Sequence, residues 1–115
     1  MAVRQGNAEP VVASAGELTN PDTTTDLADT GAMPGGIYEV TAIASCTVAG
    51  EILVIKRNAA DSADVGTGVI WYIAAGVPYG FPLKFALEPN QRIVMRPNAN
   101  ITGVAVGNLI AQRIS

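Results

Sequence analysis

The sequence predicts an all-β fold: a jelly-roll-like β-sandwich of seven or eight antiparallel strands over residues 37–115, preceded by an extended N-terminal arm over residues 1–36. Three observations carry this. Apolar and polar side chains alternate in recurring stretches, most clearly at Leu83-Lys84-Phe85-Ala86-Leu87-Glu88, which is the period-2 pattern of a half-buried strand. Turn residues interrupt these stretches about every 8–12 residues, drawing on 12 Gly and 7 Pro in 115 residues. The chain is 49% hydrophobic but only 5% aromatic, and its apolar content is mostly Val, Ile and Ala, of which the β-branched pair favours strands. No stretch carries a helical period of useful length.

Residues 1–36 differ from the rest. Val11-Val12-Ala13 is a short apolar run able to add one strand to a sheet edge. Thr19 to Asp26 is polar and turn-forming, with little to bury. Met33-Pro34-Gly35-Gly36 punctuates the join to the first strong strand. With Leu18 and Leu27 added to its valines and alanines, the arm reads as a segment that orders on a partner rather than a free tail.

From Ile37 the strands come regularly. Ile37 to Val48 is long and β-rich, Ala49-Gly50 turns it back, and Glu51 to Arg57 is read as its hairpin partner. Ile52-Leu53-Val54-Ile55 breaks strict alternation, as a central strand covered on both faces does. Asn58 to Gly68 is read as a loop, Val69 to Ala74 as a strand, and Ala75 to Pro82 as a connector holding Tyr79 and Phe81. Leu83–Glu88, Gln91–Arg96, Ile101–Val106 and Leu109–Ile114 complete the set. The first two are joined at Glu88-Pro89-Asn90-Gln91, where Pro89 presets φ for a tight turn. Both faces of the last strands are apolar: Ile101 and Ala105 on one and Val104 and Val106 on the other, then Leu109 and Ala111 against Ile110 and Ile114. One face packs within the domain. The second is expected in a subunit interface, since each large aliphatic side chain gains roughly 1.5–3 kcal/mol on burial.

The net charge of −3 and pI of about 4.7 argue against nucleic acid as a partner. No apolar run approaches the roughly 18 residues of a membrane span, and no basic and apolar leader opens the chain. A single cysteine, Cys46, fits synthesis in a reducing cytoplasm. Acidic residues gather early in the chain (Glu9, Glu17, Asp22, Asp26, Asp29) and basic ones late (Lys84, Arg92, Arg96, Arg113). Neighbouring copies could pair these ends, and ordinary surface solvation accounts for the same pattern.

Reaction chemistry is scarce. The chain has no histidine, which removes the commonest general base and the most frequent zinc ligand. Cys46 reads as a small buried hydrophobe, because no base stands beside it in the sequence. Asp61 and Asp64 read as a solvated loop, too sparse in oxygen ligands for calcium. Gly66-Thr67-Gly68 lacks the Lys-Ser/Thr of a phosphate cradle. Trp71 and Tyr72, with Tyr79 and Phe81, could build a small aromatic shelf for a sugar. Adjacent strand residues face opposite ways, however, so core packing is the better reading for Trp71. Arg92 and Arg96 share a face, a geometry that grips acidic groups on a neighbour. No catalytic residue, metal site or cofactor is expected, and the chain does not read as an enzyme.

The run from Leu83 to Gly103 joins a Pro-Asn turn, Arg92-Ile93-Val94-Met95-Arg96 and the Asn/Ala-rich turn Pro97-Asn98-Ala99-Asn100 to a closing strand. It resembles the closing hairpins of small β-sandwich virion proteins of tailed phages. Size, arm, low charge and lack of histidine are similar to capsid decoration or cement proteins. The resemblance implies a structural protein on the capsid exterior, made in the host cytoplasm, that clamps adjacent major capsid proteins as a homodimer or homotrimer. Its contacts would be Val11, Val12, Leu18 and Leu27 in the arm, with Arg92 and Arg96 as polar partners. The alternative is a receptor- or carbohydrate-binding β-sandwich module of a tail fibre or secreted enzyme, with Trp71 and Tyr79 as the residues to test.

Overall fold

The computed structural model describes the backbone of residues 12–115 and the side chains from Ala13 onward. Its strands are β1 (Val12–Thr19), β2 (Ala28–Asp29), β3 (Gly36–Cys46), β4 (Gly50–Arg57), β5 (Asp64–Ile73), β6 (Tyr79–Leu87), β7 (Arg92–Pro97) and β8 (Val104–Arg113). They form two antiparallel four-stranded sheets, ordered β1-β8-β3-β6 (the first sheet) and β2-β7-β4-β5 (the second). The connection from β4 to β5 stays within one sheet, while the others cross between sheets. That order is a jelly roll.

Alternation sets the core. Tyr38, Val40, Ala42, Ala44 and Cys46 of β3 and Ala105, Leu109 and Ala111 of β8 point inward from the first sheet. Ile52, Val54, Trp71, Ile73, Ile93 and Met95 meet them from the second. The inward alanines let the sheets approach closely, and two glycines finish the fit. A Cβ on Gly107 would stand 2.6 Å from Met95 Sδ and 2.9 Å from Leu27 Cβ, and one on Gly16 would collide with the Leu27 carbonyl.

Several expectations change. Strands 37–48 and 51–57 are not a hairpin: β3 and β4 lie in different sheets, and Ala49-Gly50 carries the chain across the sandwich. The Glu88–Gln91 turn is present, closed by the Gln91 amide donating to the Glu88 carbonyl at 3.2 Å. It too crosses between sheets, from β6 to β7. The strands read at 101–106 and 109–114 merge into one, β8, which begins only at Val104 and ends at Arg113. Gly107 marks close approach to Leu27 and Met95 rather than a turn.

Residues 12–36, set apart in the sequence as an arm, supply one of the two edge strands of each sheet. Strand β1 pairs with β8 from Val12↔Ala111 to Thr19↔Val104, and β2 pairs with β7. Leu27, Ala28 and Met33 are 2%, 4% and 2% exposed, so they belong to the core.

The loop read at 58–68 ends early, because β5 starts at Asp64. Val54 pairs with Val69 and Lys56 with Val65, which leaves Gly66-Thr67-Gly68 opposite Ile55 alone. Three residues against one make a special β-bulge, larger than the usual two against one. Gly66 takes φ +72, and a Cβ on Gly68 would stand 2.6 Å from Leu53 Cδ1 and 2.8 Å from Ile55 Cβ. The bulge therefore lies against the outer side of β4 and helps bury Ile55. The double-sided cover read from Ile52-Leu53-Val54-Ile55 is real, and a neighbouring strand supplies it.

Candidate functional site

The outer faces of the two sheets differ in kind. On the second sheet, Arg57 of β4 donates to both carboxylate oxygens of Asp26, at 2.7 and 2.9 Å, and to Asp61 at 2.9 Å. Arg92 lies 3.1 Å from Asp29 and 3.5 Å from Asp61. Arg96 grips Asp64 with both terminal nitrogens, Nη1 at 2.9 Å from Oδ1. One early acid and one late base, Asp29 and Arg92, thus pair within the chain, while Arg57 takes Asp26 and Arg96 takes Asp64. Asp61 and Asp64, read as solvated, are two of the four anions of this network.

These pairs predict an acid limb. The Arg57 guanidinium holds Asp61 below the usual carboxylate range, and Arg96 does the same for Asp64. A carboxylate with a depressed folded pKa stabilises the fold above its unfolded value, near 3.9, and that gain is lost as pH falls through the folded value. The Tm should be flat from about pH 8 to 5 and drop on acidification toward about pH 3. Asp64→Asn should shallow that drop while lowering the neutral Tm by a few degrees, as calorimetry across pH would show.

At the other end of the second sheet the outer face changes character. Tyr72 of β5 stands opposite Glu51 of β4 in register, so their side chains are direct neighbours on one face. Tyr72 is 73% exposed. Asn98, just after β7, donates Nδ2 to Glu51 Oε1 at 3.1 Å and its backbone N–H to the Glu51 carbonyl at 2.9 Å. Ile101, 3% exposed, anchors the loop that follows, and its amide donates to the Pro21 carbonyl at 3.0 Å. Between these parts opens a cleft of about 280 Å³ bordered by Glu51, Tyr72, Ala99 and Asn100. An exposed aromatic face beside a held carboxylate and an amide suits a ligand with one apolar side and a rim of hydroxyls.

The aromatic shelf of the sequence reading divides accordingly. Trp71 points inward, 7% exposed, with its ring 4.3 Å from that of Phe81. Tyr79 is half-buried and stacks near Phe81 at 6.4 Å. Tyr72 is left to face outward. Of the residues proposed as contacts, Leu27 lies in the core, Leu18 packs against it, and Val12 contributes its backbone to β1. Val11 lies outside the described residues. Cys46 is buried, and burial pushes its thiol pKa up. Among the described residues no group of three or more His, Cys, Asp or Glu could hold a metal ion.

The outer face of the first sheet carries a band of aliphatic side chains among small polar ones such as Thr41, Ser45, Asn108 and Gln112. Ala13, Ala15, Ile37, Ile43, Val106 and Ile110 alternate outward from β1, β3 and β8. Ile37 is 41% and Val106 38% exposed. Charge is sparse on this face: Glu17 on β1, and Glu39 opposite Lys84 in register. A second opening, about 310 Å³, lies at one end of this sheet near Ser45, Thr47, Pro78 and Val106.

No protein-family model matches the chain, and no curated protein matches it in sequence. Solved structures do share its fold. The globular domain of zebrafish complement 1qA is 12% identical with a TM-score of 0.63, over 93% of this chain and 98% of that one. The CBM22-1 and GH10 modules of Clostridium thermocellum endo-1,4-β-D-xylanase 10B, solved with xylohexaose, are 10% identical with a TM-score of 0.63, over 91% of this chain and 25% of that one. Eiger TNF from S. frugiperda is 13% identical with a TM-score of 0.59, over 93% and 94%. The chain is a small jelly-roll β-sandwich like these domains.

Proposed function

We propose that this chain is a non-catalytic receptor- or carbohydrate-binding module whose ligand is a saccharide. One observation carries the reading: the exposed Tyr72 ring beside Glu51 and Asn100, in a cleft whose floor is fixed by the Asn98 bonds to Glu51. A pyranose would lay its C–H face on the ring and direct hydroxyls to the carboxylate and amide. The fold shared with carbohydrate-binding modules supports it as a scaffold used for such ligands. A glycan array, followed by titration of the hits with the Tyr72 ring resonances observed by NMR, tests it. Saturable shifts of that ring are expected. Absence of any hit at millimolar concentration overturns the reading.

A second reading is favoured by the first sheet's outer face. There the chain is a structural virion protein, docked on the outside of an assembled phage capsid against major capsid proteins or further copies of itself. A sheet face with a band of exposed aliphatic side chains and few charges suits burial against protein. Protein mixed with undecorated heads should then pellet saturably with them. Val106→Asp with Ile43→Asp should cut that occupancy at least tenfold, because each places an unpaired charge in the contact. Unchanged occupancy would remove this face from the docking surface.

A further inference from the structure

The cleft beside Tyr72 has a chemical sign as well as a shape. Its one charged side chain among the described lining residues is Glu51; the others that border it are an aromatic ring, an amide, one isoleucine and small residues. Asn98 holds Glu51 Oε1, and no described residue donates to Oε2. A carboxylate is an acceptor and nothing else, so this position demands donors from its ligand. The arginines of the same sheet do not cancel the charge, since Arg57, Arg92 and Arg96 are each bound to aspartates of their own. The chain as a whole carries a net charge of −3, which adds to the repulsion of an approaching anion.

Resting on the saccharide reading above, we infer that Glu51 is the specificity-determining residue of this cleft. It selects sugars that present paired hydroxyls or an ammonium group and rejects acidic sugars. A neutral hexose donates two vicinal O–H groups to the carboxylate, and an amino sugar donates N–H with opposite charge. A uronic or sialic acid brings a second carboxylate toward the first without a cation between them. Charge-assisted bonds are the stronger kind, and like charges at contact distance cost a comparable amount.

The test uses the full chain and two matched probes, a neutral oligosaccharide and its uronic-acid counterpart, with an amino sugar as a third, titrated by calorimetry at low and at high salt. Wild type is expected to bind the neutral probe about tenfold or more tightly than the acidic one, with the gap narrowing as salt rises. Glu51→Gln keeps a carbonyl for Asn98, so its melting temperature should match wild type. Its binding of the neutral probe should weaken about tenfold, and discrimination against the acidic probe should collapse. Equal wild-type affinity for the two probes, or unchanged selectivity in Glu51→Gln, overturns the inference while leaving the saccharide reading in place. Absence of wild-type binding to both probes and to an amino sugar overturns the reading itself, and the inference with it.

Discussion

A chain that begins at Ile37 is expected to show no cooperative thermal transition. Residues 12–36 carry one edge strand of each sheet, so their removal strips β8 of its outer partner from Val104 to Ala111 and β7 of its outer partner at Val94 and Met95. The backbone bonds that run from Leu27 to Met95, Thr30 to Ile93 and Met33 to Gln91 go as well, at 2.7, 3.0 and 3.0 Å. Their carbonyls lie on residues buried to 8% exposure or less, where an unpaired polar group costs about 1–3 kcal/mol. Leu27 and Met33 leave the core, each a loss of roughly 2–5 kcal/mol by analogy with large-to-alanine changes. Arg57 and Arg92 lose Asp26 and Asp29. Together these losses reach the total stability of a domain this size, roughly 5–15 kcal/mol. Circular dichroism with a thermal scan decides the matter. A sharp transition within about 10 °C of the full chain would show that residues 37–115 fold alone and that the preceding residues are a detachable arm.

That segment was hard to read because its core residues stand singly. Leu27 and Met33 sit among Thr, Asp, Gly and Pro, and neither repeats at a spacing of two or of three to four. Local alternation was informative wherever it ran long. The inward row Leu83, Phe85 and Leu87 of β6 follows directly from it. What alternation does not encode is the partner. A strand with one apolar face reads the same whether the next strand lies beside it or across the core, so Ala49-Gly50 passed for a hairpin turn. The break read between Val106 and Leu109 has a related reason. A glycine needed for close packing and one needed for a turn look alike until the opposing Leu27 and Met95 are in place. The cleft was legible in part. Trp71 and Tyr72 had to part company on any strand, but the joining of Tyr72 to Glu51 and Asn98 depends on the β4–β5 register and the loop after β7, neither of which has a local signature.

Replacing Tyr72 and replacing its neighbour Trp71 should give opposite results. Tyr72→Ala removes a ring that is 73% exposed and on the outer face, so the melting temperature should move by no more than a few degrees, as for most surface changes. Saccharide binding should fall at least tenfold, since a stacking aromatic contributes about 0.5–1.5 kcal/mol beyond the area it covers and its loss also opens the cleft to water. Tyr72→Phe should retain most of the affinity, because the ring face carries the contact. Trp71→Ala empties a core position against Ile52, Phe81 and Ile73 and should cost roughly 3–5 kcal/mol, lowering the melting temperature by about 10 °C or more. Any loss of binding in that variant would follow the loss of folded protein rather than the loss of a contact. Thermal melts and titrations on the same preparations separate the two. Saccharide binding that survives Tyr72→Ala and disappears only on unfolding would move the ligand off this face of β5 altogether.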